Sequence, residues 1–307
     1  MGRGSYTAGD WAALRSSRSF SEKSTERQLF AQTAAHSRYS VNTIPVRESR
    51  DSEDSPEATP VIIGFDVTAS MGYLARELAL NAVNKTVMSL LDEKPISNPQ
   101  LLCAAIGDCK SDASPLQVTQ FEADIRIIRQ LTELYLEGGG GGNGGESYNL
   151  LWYFAARHTA ADCFEKRGGK GFLFTIGDDL CHPGLETAEI RRIFGDEVPY
   201  AQGNAELLRL VREKYHVFHI HIDTGAAGSK KALADWRALM PGCATEIHKK
   251  DIGFLAQLIT AIISVAAGTP PNAALKSMDQ NAAEVIARSI ALIDVRPAAK
   301  KKNIISF

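Results

Sequence analysis

The apolar run Val61-Ile62-Ile63-Gly64-Phe65 ends on Asp66, and two hydroxyls, Thr68 and Ser70, follow at alternate positions before Met71-Gly72. A short run without polar interruption fits a central parallel strand covered on both faces better than an edge strand with one wet face. A strand of that kind needs helices above and below it, which constrains the chain to an α/β layer structure. The same segment carries an aspartate and two hydroxyls into a strand-to-helix turn. Oxygen ligands on one tight loop suit a hard divalent cation such as Mg2+ or Mn2+. Because the hydroxyls are neutral, the ion stays under-neutralised and still attracts a further anion.

Beyond this strand the pattern keeps alternating. Residues 101–106, 116–121, 171–176, 216–222 and 244–248 read as strands, and 71–91, 123–135, 148–164, 230–239 and 251–267 as helices. Residues 186–215 are helix-rich, with a break around 199–203. The polar stretch 107–115 between two short strands predicts a hairpin and one antiparallel edge strand. The whole predicts a doubly wound, mostly parallel sheet with helices on both faces. Ligands of such sheets lie beyond the carboxyl ends of the strands, near the point where the strand order reverses. Asp66 and Asp178 both fall at such ends.

Composition divides the chain into three parts: 1–59, 60–268 and 269–307. Through Arg50 the first part holds eight Lys and Arg against four Asp and Glu, with few large apolar residues. It reads as a mobile polar arm; the alternative is that Arg47-Glu48-Ser49-Arg50-Asp51 pairs with the domain or a partner. The third part predicts one helix over 273–292 and a solvated basic end at Lys300-Lys301-Lys302.

The chain has 307 residues, 44% of them hydrophobic and 23% charged, with a formal net charge of -2. That balance gives no reason to expect nucleic-acid or anionic-membrane affinity. The apolar stretch 252–267 is interrupted by Gln257, Thr260 and Ser264 and is shorter than the roughly 20 residues a spanning helix needs. Five scattered cysteines without a Cys-x-x-Cys pair read as reduced thiols. The expectation is a cytoplasmic protein.

Three loops carry the chemistry. The first holds Asp66, Thr68 and Ser70; the second is the glycine-rich 137–147, ending Gly144-Gly145-Glu146-Ser147; the third is Gly177-Asp178-Asp179 after a strand. The glycine run fits a flexible linker and equally a close approach of backbone to an ion. In this order of strand, Asp-x-Thr-x-Ser-Met-Gly, helix, hairpin, glycine-containing loop and strand ending in Asp, residues 60–268 resemble a von Willebrand factor A domain. The usual first motif of that family is Asp-x-Ser-x-Ser; Thr68 keeps the hydroxyl.

The resemblance implies a Rossmann-like fold with a metal-ion-dependent adhesion site. In such a site Thr68 and Ser70 bind the ion, Asp66 and Asp178 supply charge, and a second-loop threonine completes the shell. Here that position offers Ser147, with Glu146 as the alternative; a glutamate would neutralise the ion more fully. The family's open position is often taken by a partner's carboxylate, and its intracellular members are often adaptors for ATPase machines or other assemblies. The expected function is therefore a non-catalytic, Mg2+- or Mn2+-dependent protein-binding module whose partner offers an acidic side chain.

Rival readings rest on single residues. A nucleophile elbow would place glycine where Thr68 stands, and a phosphatase with Asp66 as nucleophile would place a second aspartate there. A metal-dependent hydrolase using Asp66, Asp178 and Asp179 is the enzymatic alternative. Asp179 and His182 read as part of an acidic turn before Pro183. His219 and His221 share a strand face, as zinc ligands do, but no further ligand is placed by the sequence and both read as core histidines.

Overall fold

The computed structural model describes residues 6–68, 71–139 and 144–294. In chain order the strands are β1 (Arg47–Ser49), β2 (Thr59–Asp66), β3 (Pro99–Ile106), β4 (Leu116–Val118), β5 (Thr159–Ala161), β6 (Gly171–Gly177), β7 (Gly184–Leu185), β8 (Gln202–Gly203), β9 (Tyr215–Asp223) and β10 (Ala244–His248). Six of them form the central sheet, in the order β10-β9-β6-β2-β3-β4. All its pairs are parallel except β3–β4. The doubly wound sheet with one antiparallel edge is therefore present, and the order reverses between β2 and β6.

Alternation along the strands builds two cores. Val61, Ile63 and Phe65 share one with Leu74, Leu78, Leu258 and Ile262. Ile62, Leu102 and Ala104 point the other way and share the second with Leu151, Trp152 and Leu207. Every residue of β2, β3 and β6 is buried, as expected for parallel strands sandwiched between helices. On the first face lie the helices Val83–Glu93, Leu255–Ala266 and Gln280–Ile290; on the second lie Tyr148–Arg157, Asn204–Lys214 and Ser229–Leu239.

Five expected helices differ in detail: that over 123–135 shortens to Arg126–Leu131, that over 251–267 opens as a 3-10 turn, Lys249–Phe254, before Leu255–Ala266, and three more are interrupted or split. The segment 71–91 is helical but carries a π turn, Leu78–Ala82, between Gly72–Glu77 and Val83–Glu93. The helix expected over 148–164 stops at Arg157, because Thr159–Ala161 extends to pair with β1. The helix expected over 273–292 is two pieces, Pro271–Ala274 and Gln280–Ile290. Asp279 starts the second piece by accepting the Ala282 N–H at 2.9 Å, an N-cap that no helix interior would tolerate as well. Lys300, Lys301 and Lys302 lie outside the described residues.

The segment set apart by composition packs onto the sheet. Tyr6, Leu14, Leu29, Phe30 and Tyr39 enter the first core, and Val41 and Ile44 the second. Of the two alternatives for residues 47–51, the structure shows pairing with the domain: β1 lies parallel to β5, and Arg50 bonds Asp162 at 2.9 Å. Ser40 forms an antiparallel bridge to Gln117 of β4. At the opposite edge, Ser289 donates to the Glu246 carbonyl at 2.7 Å and Thr245 donates to the Ser289 carbonyl at 2.6 Å. Each edge strand is thus contacted by another segment of this chain. Among the described residues no helix is long and apolar enough to cross a membrane.

Candidate metal centre

Asp66 is the last residue of β2 and Asp178 follows the last residue of β6. These strands are neighbours, with Phe65 opposite Ile176, so the two aspartates emerge side by side at the reversal point. This is the crevice that a doubly wound sheet leaves open. Asp66 is fully buried. Its Oδ1 accepts the Thr68 N–H at 2.7 Å, and its Oδ2 accepts the Tyr148 hydroxyl at 3.1 Å. Met71 N–H closes the turn onto the Thr68 carbonyl at 2.9 Å. Ser70 lies outside the described residues.

Burial pushes the Asp66 carboxyl up to about 7; the Thr68 hydrogen bonds oppose this, and the charge of Asp178 adds to it. Burial raises Asp178 as well, helped by Asp179 and opposed by Lys249. Lys249 sits 4.0 Å from the centre of the Tyr73 ring, a cation–π distance. The crevice is therefore a place where negative charge is costly without a cation.

The second loop presents its two candidates differently. Ser147 is fully buried, and its hydroxyl accepts the Cys109 N–H at 2.8 Å while lying 3.5 Å from Asp108 Oδ1. That hydroxyl faces the loop after β3. Glu146 is 4% exposed, and its Oε2 is buried with no hydrogen-bond partner. Burial lifts its carboxyl to about 9, with Asp66 the first of the neighbouring charges and Asp108, Asp112 and Asp179 behind it.

The other candidates are engaged elsewhere. His182 Nε2 meets Asp108 Oδ1 at 2.8 Å. Asp179 accepts the Leu180 N–H at 2.7 Å through its side chain and the Trp236 indole N–H at 2.9 Å through its carbonyl. His219 stacks on Trp236 with ring centres 3.5 Å apart, and its Nδ1 lies 2.9 Å from Thr175 Oγ1. His221 Nε2 lies 2.8 Å from Ser229 Oγ. Burial lowers both histidines, keeping them neutral members of the core. Among the described residues no three His, Cys, Asp or Glu side chains are arranged to hold a metal. The donor set here suits an ion bound by hydroxyls and water with carboxylates around it, as a small hard cation accepts.

Sequence reasoning assigned no role to Tyr148, and it named Gly177 only as part of the third loop. A Cβ on Gly177 would lie 2.0 Å from the Tyr148 hydroxyl and 2.9 Å from Asp66 Cβ. Glycine at this strand end is what lets the phenol reach the carboxylate. The available signal was a tyrosine opening an apolar helix, since a buried phenol needs a polar partner.

No protein-family model matches this chain, and no curated protein matches it. Among solved structures, the open conformation of the pilus adhesin SpaC from Lactobacillus rhamnosus GG is similar at 8% identity and a TM-score of 0.46, covering 78% of this chain and 31% of the adhesin. Proximal thread matrix protein 1 from the mussel byssus, with a zinc-occupied MIDAS motif, is similar at 11% identity and a TM-score of 0.38, covering 70% of this chain and 48% of that one. A von Willebrand factor type A protein from Catenulispora acidiphila is similar at 14% identity and a TM-score of 0.36, covering 77% of this chain and 50% of that protein. This chain thus spans a half or less of the length of each of the three.

Proposed function

We propose that this chain is a non-catalytic, divalent-cation-dependent protein-binding module of the von Willebrand factor A type. The observation that carries the reading is the pair Asp66 and Asp178, held side by side at the reversal point and both raised by burial. Thr68 and Ser70, with Asp66 and Asp178, would hold Mg2+ or Mn2+, and the second loop would add Ser147 or Glu146. The ion would supply a desolvated positive charge that can attract a carboxylate on a partner protein. The rest of the work belongs to the protein: Tyr148 and the Thr68 amide orient Asp66, and the buried sheet keeps the loops in register.

We further assign the module to the cytoplasm, as an adaptor in a multi-protein assembly of the ATPase-associated kind. All five cysteines are free, and Cys103, Cys109 and Cys163 are buried, which suits a reducing compartment. The test is capture of partners on the immobilised protein with Mg2+ or with a chelator. Partners retained equally under both conditions, and by Asp66→Ala, would defeat the reading. Metal-dependent ester hydrolysis abolished by Asp178→Ala would instead favour the hydrolase built on Asp66, Asp178 and Asp179.

A further inference from the structure

The helix Val83–Glu93 has two faces. Val83, Val87 and Leu90 turn into the core. Lys85, Met88, Ser89 and Asp92, at three- and four-residue spacing, share a second face and form one wall of a cleft of about 350 Å3. Gln257 and Thr260 of Leu255–Ala266 supply the facing wall, and Met278 and Asp279, in the turn before Gln280–Ile290, close it. Ser277 fastens that turn by donating to Glu93 Oε1 at 3.4 Å, and Asp279 is fixed as the N-cap.

Two polar atoms of these walls lack a partner. Thr260 is 2% exposed, and its Oγ1 is buried without a hydrogen bond; Gln257 Oε1 is buried in the same condition. A hydroxyl inside a helix can bond the preceding turn, as Ser289 does with the Val285 carbonyl at 3.3 Å. Thr260 makes no such bond. A buried acceptor without a donor costs free energy that a bound donor would recover.

Charge selects the donor. Among the residues lining the cleft, the carboxylates Asp92, Glu93 and Asp279 stand against the single ammonium of Lys85. Lys85 is exposed, so its stem can swing its charge into solvent. Among the described residues no three acids are grouped to hold a metal, so a compact ion is not what this cleft suits. An elongated organic cation is. Its ammonium groups can donate to acceptors set apart, and its methylenes can lie on the pliant thioethers of Met88 and Met278.

We propose that this cleft is a binding site for an aliphatic polyamine. One ammonium donates to Gln257 Oε1 and Thr260 Oγ1, and another lies against the rim carboxylates of Asp92 and Glu93. None of these residues belongs to the three loops around Asp66, so the site stands apart from the metal reading above.

The experiment titrates spermidine into the metal-free full chain by calorimetry, with thermal melts of each protein. The proteins are wild type, Thr260→Val, Asp92→Asn combined with Glu93→Gln, and Asp66→Ala. Thr260→Val keeps the shape and removes the unpartnered oxygen, so without ligand it should melt no lower than wild type. The surface pair of substitutions tests the charge independently of that buried position. Spermidine should bind wild type and lose roughly 10-fold or more in affinity in Thr260→Val and in the paired variant. Asp66→Ala should bind it as wild type does. No binding to wild type, wild-type affinity in Thr260→Val or in the paired variant, or loss of binding in Asp66→Ala would each overturn the inference.

Discussion

The Tyr148 hydroxyl reaches Asp66 Oδ2 at 3.1 Å by passing over Gly177, where any Cβ would lie 2.0 Å from the phenol oxygen. One strand end, one helix start and one glycine thereby set the orientation of the central carboxylate. Tyr148→Phe should cost about 1 kcal/mol of stability from the lost hydrogen bond. It should also lower Mn2+ affinity by roughly 10-fold, the scale of losing a group that orients a metal ligand. Gly177→Ala should be worse, at about 1–3 kcal/mol, because the added methyl displaces the phenol. Urea unfolding and Mn2+ titration of the two variants check both values.

The pH dependence follows from two raised carboxyls, Asp66 at about 7 and Glu146 at about 9. An acid whose folded value lies above its unfolded value holds its proton more tightly in the fold. Its contribution to stability is intact below the unfolded value, near 4, and is lost as pH rises through the folded value. Above about pH 7, where the buried histidines are neutral folded and unfolded, the metal-free protein should therefore melt progressively lower up to about pH 9. Divalent cation competes with those protons, so its stabilising effect should grow over the same range. Thermal melts with and without Mg2+ across that range would show it; melts that rise with pH in the metal-free protein would contradict it.

Residues 6–45 contribute to both cores, so their removal should behave like core damage. Leu29 is 2% exposed, and Leu29→Ala should cost about 2–5 kcal/mol. A chain lacking residues 1–45 should lose a large part of its cooperative unfolding transition, read by circular dichroism. A truncated chain with the melting temperature of the whole protein would show that this packing contributes little.

Hydrolysis should be absent. No turnover of phosphate esters or acyl esters is expected with Mg2+ or Mn2+, because Thr68 stands where a second carboxylate or a glycine would be needed for either chemistry. Release of p-nitrophenol that depends on metal and vanishes in Asp178→Ala would be the contrary result.

β2 and β3 were legible because each carries an unbroken apolar run, 61–65 and 101–106, and β10 falls on the expected residues 244–248. The placement of Asp66 and Asp178 at strand ends was legible because the segments before them are mostly apolar. The packing of residues 6–45 was not: its core contacts, such as Tyr6, Leu14 and the pair Leu29-Phe30, are few and far apart in a mostly polar stretch. The split of 148–164 was hidden too, since Thr159–Ala161 becomes a strand only by pairing with β1, more than a hundred residues earlier. The engagement of the Ser147 hydroxyl by the Cys109 amide was hidden as well, since the two lie 38 residues apart.

The bridging of Ser40 to β4 and of Ser289 to β10 has a consequence for how another protein can dock. At these points each flank is already engaged by this chain, so a guest strand that extended the sheet would have to displace Ser40 from Gln117 or the Ser289 segment from β10. For the module proposed above, the approach left uncontested is end-on, through the loops that crown the carboxyl termini of the strands.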